Sequence, residues 1–278
     1  MSPQPYTGGA ADIRMVVTDM DGTLVQSDHR IPDSLWPVLD AMRERGILFV
    51  PASGRQYANI SCLFPDHTGM AFVAENGGYV RLGENEIFSA SLDRSAANSA
   101  IARVRELADP NVGAVFCSKH VAFVENDDDE FLTQVRHYFR ALEIVPDLDA
   151  VEEDPLKIAI FSFDDIAQTV YPHMGGLATS PQVVVSARNW IDIMNPAVNK
   201  GVGLRALQEA VGVSPAHTAV FGDYLNDLDA LDRGEYSFAM ANAHPEVQRR
   251  ARFLAPSNDD AGVVTTVRTL LDLEKMWA

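Results

Sequence analysis

The segment Met15-Val16-Val17-Thr18-Asp19-Met20-Asp21-Gly22-Thr23-Leu24 sets a β-branched apolar run directly before two carboxylates, two residues apart, and a glycine. Such a run predicts a buried strand that ends in an acidic loop. Strand tips are where open α/β sheets bind ligands. An Asp-x-Asp pair there can hold a divalent cation while one carboxylate attacks phosphorus. Alone, an Asp-Gly dipeptide more commonly closes a hairpin, so what decides is whether other strand ends carry matching chemistry.

The chain continues as strand, helix, strand. Leu35, Val38, Leu39 and Met42 follow helical spacing, with Asp33 or Ser34 at the N-cap and Gly46 as the stop. Ile47 to Pro51 is a second apolar run that ends at Ala52-Ser53-Gly54-Arg55, and Met70 to Ala74 is a third, ending at Glu75-Asn76-Gly77-Gly78. Polar residues at successive strand ends predict a doubly wound parallel sheet.

Near residue 90 the texture changes. A helix over 93–108, strands within 114–124, a helix over 127–142, a strand over 157–163 and another at 183–185 predict an α+β insertion. The parallel texture is expected to return at Trp190-Ile191-Asp192-Ile193-Met194. A helix from about Lys200 to Val211, a strand at 219–221 ending in Gly222-Asp223, and a C-terminal helix over 262–276 complete the reading. The predicted domains are a core over 1–89 and 188–278, and an inserted domain over 90–187. The first residues, including Ser2, Pro3, Pro5, Gly8 and Gly9, read as a loose terminus.

Composition narrows the partners. A net charge of −17 excludes a phosphodiester backbone as the expected partner, because clustered Lys and Arg bind it. A phosphate site on such a surface must be a local basic pocket helped by metal. Two cysteines, Cys62 and Cys117, in no metal-ligand spacing indicate a reducing compartment. No apolar run reaches the roughly 20 residues that span a bilayer, and no secretion signal opens the chain. The expected setting is the cytoplasm, with no nucleic-acid or membrane partner; oligomeric state is not readable.

Four strand-end segments form a set: Asp19 and Asp21, Ser53, Lys200, and Asp223 with Asp227. Phosphoryl transfer needs a nucleophile, a proton donor for the leaving oxygen, donors for the phosphoryl oxygens and cations against developing charge. Asp19 is placed as nucleophile and Asp21 as general acid and base. Ser53 and the Gly54 backbone offer donors to phosphate, and Lys200 neutralises charge. Asp19, the Asp21 backbone carbonyl and Asp223 would hold Mg²⁺, with Asp227 binding through water or orienting Lys200. Each has an ordinary alternative: Ser53 as an N-cap, Lys200 as a solvated helix residue, Asp223 as a turn, Asp227 as a dipole-favoured helix start. All four holding at successive strand ends of one sheet is the improbable combination.

With DMDGTL at 19–24, SGR at 53–55, NGG at 76–78, NKG at 199–201 and GDYLND at 222–227, the chain resembles the haloacid dehalogenase-like phosphatases of the Cof type. MANAHPEV at 240–247 and SNDDAGV at 257–263 extend the resemblance across both core segments. It implies a Rossmann-like core with a mobile, ferredoxin-like α+β cap that closes over the active site. It also implies a small phosphorylated metabolite, a sugar or polyol phosphate, as substrate. Arg55, Arg188 and Asn258 join the candidate phosphate- or substrate-binding residues, Asn258 having an Asx turn with Asp259 as its alternative. Ser53 stands where the family often has threonine, and Tyr224 where a small residue is frequent. A phosphomutase of the same family and a non-catalytic phosphate-binding regulator are the competing readings. His120 and the run Glu125 to Asp129 are candidates for specificity residues of the inserted domain, with a solvated face as the ordinary alternative for an acidic run.

Overall fold

The structure, a computed structural model, describes residues 3–8 and 10–273. Ser2 and Gly9, and residues 274–276 of the predicted C-terminal helix, lie outside the described residues. The strands are β1 (Gln4–Pro5), β2 (Met15–Asp19), β3 (Leu48–Ala52), β4 (Ala71–Ala74), β5 (Tyr79–Leu82), β6 (Asn85–Ser89), β7 (Val112–Cys117), β8 (Ala122–Val124), β9 (Leu142–Ile144), β10 (Lys157–Ser162), β11 (Gln182–Ala187), β12 (Trp190–Met194), β13 (Thr218–Gly222), β14 (Tyr236–Met240) and β15 (Phe253–Ala255). The helices are α1 (Leu35–Glu44), α2 (Tyr57–Ser61), α3 (Arg94–Leu107), α4 (Asp129–Arg136), α5 (Ile166–Thr169), α6 (Lys200–Val211), α7 (Leu228–Leu231), α8 (Pro245–Arg250) and α9 (Gly262–Leu270).

The chain divides into two compact units. The first holds residues up to 54, 64–88 and 199 onward; the second holds 55–63 and 89–198. A nine-stranded sheet in the order β1-β15-β14-β13-β2-β3-β4-β5-β6 forms the frame of the first unit. From β1 to β4 every pairing is parallel, and β5 returns antiparallel on β4. Strands β2 to β4 step outward to one side and β13 to β15 to the other, so the topological switch falls between β2 and β13. In doubly wound sheets ligands bind at the carboxyl ends of the strands beside that switch.

Both faces of this sheet are covered, which is why its strands read as apolar runs rather than alternations. Met15, Val16, Phe49, Val50, Val73 and Phe221 are all buried. Ser34 precedes α1 without a side-chain cap bond, and Gly46 follows it at φ +67°. The predicted loose N-terminus is corrected: Gln4 and Pro5 pair with Phe253 and Leu254, and the Tyr6 ring packs edge-on against Phe253 and Phe238.

A six-stranded sheet in the order β11-β12-β10-β7-β8-β9 underlies the second unit, antiparallel except for β8 with β9. The pleat sends Ile158 and Ile160 to one face, with Phe116, Ile191 and Ile193, against Ala97, Ala100 and Ile101 of α3. The other face carries Ala159, Phe161, Cys117 and Trp190 against Phe131, Leu132 and Val135 of α4 and Phe139 beyond it. Asp93 and Asp128 cap α3 and α4 by accepting backbone N–H groups.

Two sequence readings change here. Trp190–Met194 is not a core strand: it pairs antiparallel with β10 and β11 inside the second sheet. Arg188, where the core was expected to resume, forms instead with Asn189 the turn between β11 and β12, and the return falls at 198/199. Residues 55–63 also belong to the second unit. Gln56 makes two hydrogen bonds of 3.2 Å with the backbone N–H and carbonyl of Ala141, and Asn59 donates to the His137 carbonyl. The helix expected over 127–142 ends at Arg136, and Leu142–Ile144 is a strand.

Candidate active site

Asp19 is the last residue of β2, and Asp223 follows the last residue of β13 on the neighbouring strand. The topological switch therefore sets the two carboxylates side by side. Lys200, the first residue of α6, is 1% exposed. Its Nζ lies 2.5 Å from Asp19 Oδ1 and 2.7 Å from Asp227 Oδ1. The second Asp227 oxygen accepts the backbone N–H groups of Asp223 and Tyr224 at 2.9 and 3.0 Å. Asp227 thereby holds Lys200 with one oxygen and shapes the Asp223 loop with the other.

The carboxylates of Asp19, Asp223 and Asp227 each offer an oxygen within 4.8 Å of the others, the one such group of acidic, His or Cys side chains among the described residues. Three carboxylates face one ammonium in a buried site, so the group carries excess negative charge. Asp19 is raised well above the ordinary carboxylate range by burial, with Asp227 and Asp223 adding to the effect and Lys200 opposing it. Burial and then the Asp227 charge push Asp223 up to about 6. For Lys200, burial acts against the charged form, but the Asp19 and Asp227 carboxylates outweigh it and the ammonium is held more firmly than usual. The Asp21 side chain is exposed and stands outside this group.

Two glycines are required by close approach. Gly22 holds φ +79°, and a Cβ there would fall 2.4 Å from Asp223 Oδ2; Gly77 holds φ +93°, and a Cβ would fall 2.1 Å from the Asn199 carbonyl oxygen. Gly77 thus lets the turn after β4 abut the start of α6, whose N-cap Asn199 accepts the Val202 N–H at 2.9 Å.

Ser53 is buried at the end of β3, its N–H on the Val73 carbonyl and its own carbonyl accepting from Asn76. Gly54 lies against the Asn76 side chain. Asn258 gives its side-chain N–H to the Val25 carbonyl at 2.9 Å, and its backbone N–H to Asn242 Oδ1. These two bonds tie Asn258 to the acidic loop and to Asn242. Arg55 and Arg188 fall in the second unit, where Arg55 contacts Asn59 and lies over the Tyr138 ring. The exposed Tyr224 ring meets His244 edge-on at 5.9 Å.

Thr23, Asn242 and Asn76 were not singled out from sequence. Thr23 Oγ1 donates to Asp223 Oδ1 at 2.8 Å, across 200 residues, and Asn242 Nδ2 donates to the Gly22 carbonyl at 2.8 Å. Thr23 and Asn242 lie inside the quoted DMDGTL and MANAHPEV segments, so the signal was position in a motif, without a partner to give it a role.

Residues 16–267 match the model of the haloacid dehalogenase-like hydrolase family. A 5-amino-6-(5-phospho-D-ribitylamino)uracil phosphatase of Escherichia coli, YbjI, is 32% identical over 267 residues, covering 94% of this chain and 97% of its own. A solved structure from Streptococcus mutans, SMU.1108c, superposes with a TM-score of 0.82 at 26% identity, over 94% of this chain and 99% of that one. A haloacid dehalogenase-like hydrolase from Bacteroides thetaiotaomicron shares the fold at a TM-score of 0.83 and 22% identity, over 92% and 98%. The chain belongs to the haloacid dehalogenase-like hydrolase family, as one of its phosphatases. Its fold is that family's: a Rossmann-like core sheet with an inserted α+β unit.

Proposed function

We propose that the chain is a cytoplasmic, Mg²⁺-dependent phosphomonoesterase that cleaves a sugar or polyol phosphate through an aspartyl-phosphate. The observation that carries this reading is the buried group in which Lys200 holds Asp19 and Asp227 while Asp223 stands beside them. A set of hard carboxylate oxygens with excess negative charge fits a hard divalent cation. Asp19, Asp223 and the Asp21 backbone carbonyl would hold Mg²⁺, which would offset charge on the phosphoryl oxygens.

An Asp19 carboxylate oxygen attacks phosphorus, and the bond from phosphorus to the leaving oxygen breaks. Asp21, exposed at the loop, gives its proton to the departing alkoxide. It then takes a proton from the water that attacks phosphorus, freeing phosphate and restoring the Asp19 carboxylate. Ser53 and the Gly54 backbone bind phosphoryl oxygens, and Lys200 keeps Asp19 oriented and offsets charge. Arg55, Arg188 and Asn258 are assigned supporting parts in substrate binding. The second unit is assigned selection of the leaving group.

The relative in Escherichia coli is named for a substrate whose phosphate sits on a ribitylamino group. A ribityl chain is a polyol, which supports the polyol-phosphate class for this chain too. The test is a phosphate-release screen with Mg²⁺ over sugar phosphates, polyol phosphates, nucleotides and vitamin phosphates. Turnover concentrated on polyol or sugar phosphates is expected; silence across the panel would sink the reading.

A further inference from the structure

The turn after β4 holds an unusual backbone for a buried segment. Glu75 and Asn76 both have positive φ, +50° and +52°, a left-handed conformation that costs a non-glycine residue about 1 kcal/mol or more. Both are buried. Strain of this kind persists where surrounding contacts over-determine it, and Asn76 shows which contacts do so.

Asn76 meets two of the site's loops directly, and its neighbour meets a third. The Asn76 N–H donates to the Ser53 carbonyl at 3.0 Å. Its side-chain amide lies beside Gly54, where an added Cβ would fall 3.0 Å from Nδ2. Its Oδ1 accepts from Asn226 Nδ2 at 3.1 Å, and Asn226 directly precedes Asp227, the carboxylate that grips Lys200. Gly77 abuts the Asn199 carbonyl at the start of α6.

We propose that Asn76 is a positioning residue whose carboxamide locks the Ser53–Gly54 loop to the Asp223–Asp227 loop. It fixes the spacing between the donors to phosphate and the Lys200-held carboxylate that attacks. This rests on the phosphoryl-transfer reading above and adds to it a residue that acts through others. Small displacements at such a site cost rate rather than affinity, because the reacting geometry is met only in the transition state. If the turn needed only its left-handed backbone, glycine would serve as well or better.

Asn76→Gly therefore separates the two roles. On an aryl phosphate with Mg²⁺, N76G is expected to keep its Tm within about 2 °C of wild type or exceed it. Its kcat should fall about tenfold to a hundredfold, with KM moving less than about threefold. N76A should show the same loss of kcat with a lower Tm. In an N226A background N76G should cost less than about threefold, because the tie is already cut. Hydrogen exchange in peptides spanning 53–54 and 223–227 should quicken in N76G at unchanged Tm.

Wild-type kcat in N76G, or losses that simply multiply in N76G/N226A, would overturn the proposal. A wild-type protein inactive on aryl phosphates would sink the functional reading instead. The exchange comparison needs no turnover, and unchanged protection in N76G would refute the positioning role by itself.

Discussion

Both units bury a lysine against aspartate, and they do so to different ends. In the second unit Lys157 and Asp192 lie on adjacent strands, diagonal across the β10–β12 register, with Nζ 3.2 Å from Oδ1. Their side chains are 4% and 7% exposed, and the Phe139 ring lies 5.7 Å from the ammonium. In that pair one ammonium meets one carboxylate. In the first unit a single ammonium answers three carboxylates, so protonation or a bound cation must supply the missing positive charge. Between two groups that are equally buried, charge count separates a strut from a site.

The largest expected effect tests the unbalanced group. Asp19→Asn should lower turnover by more than about 10³-fold, because an amide cannot attack phosphorus. It also removes one of three crowded negative charges, so the metal-free variant should melt no lower than wild type. A variant with near-normal turnover would remove Asp19 as nucleophile and erase the contrast between the groups.

The Lys157–Asp192 pair should behave in the opposite way. Lys157→Met strands the Asp192 carboxylate in an apolar sheet face and should cost about 3–5 kcal/mol of stability in denaturant unfolding, whereas Lys157→Met with Asp192→Leu should recover most of that loss. Turnover per folded molecule should change little on an aryl phosphate. A double variant as unstable as the single would show that the pair contributes more than cancellation of its own charges.

Acidity and metal sharpen the comparison further. Asp223, raised from 3.8 to about 6, favours its protonated form in the folded state. Its contribution to stability is therefore complete below about pH 4 and lost as pH rises through 6, on the order of 3 kcal/mol. Metal-free protein should be more stable at pH 5 than at pH 7.5 by this group. Saturating Mg²⁺ should reverse the trend, because it binds the ionised carboxylates, with a gain of about 2.7 kcal/mol at a hundredfold excess over Kd. EDTA should eliminate turnover, and Asp223→Ala should abolish the Mg²⁺-dependent rise in Tm. A thermal-shift series over pH, with and without Mg²⁺, checks both signs.

The parts of the fold legible in sequence were those whose signal is local. The run Met15 to Thr18 with Asp19 at its tip, the Asn199-capped helix at Lys200, and Gly222-Asp223 after Ala219-Val220-Phe221 each carry pattern and punctuation together. Trp190–Met194 misled because it is buried on both faces, Ile191 and Ile193 toward α3 and Trp190 toward α4. A doubly covered antiparallel strand gives the same apolar run as a strand of a parallel core. Asn258 shows a different limit: its partner is Val25, 233 residues away. No spacing rule reports whether a side-chain amide is already engaged. Thr23 on Asp223 and Asn76 beside Asn226 were hidden in the same way, by partners that only the fold brings near.

The smallest expected effect completes the comparison. Arg105 meets three carboxylates, forming ion pairs with Glu125, Asp147 at 2.8 Å and Asp149 at 2.6 Å. Its ratio of one cation to three anions matches that of Lys200, and its guanidinium is likewise held more firmly protonated, chiefly by Glu125 and Asp149. Its side chain is 39% exposed, however, and water screens both the attraction and the excess negative charge. Arg105→Ala should therefore cost no more than about 1 kcal/mol in denaturant unfolding, and that loss should shrink further in 1 M salt. A cost near that of Lys157→Met would mean that desolvation does not set the scale here. The charge imbalance around Lys200 would then cease to mark it as a site, because an imbalance on the surface would be equally expensive.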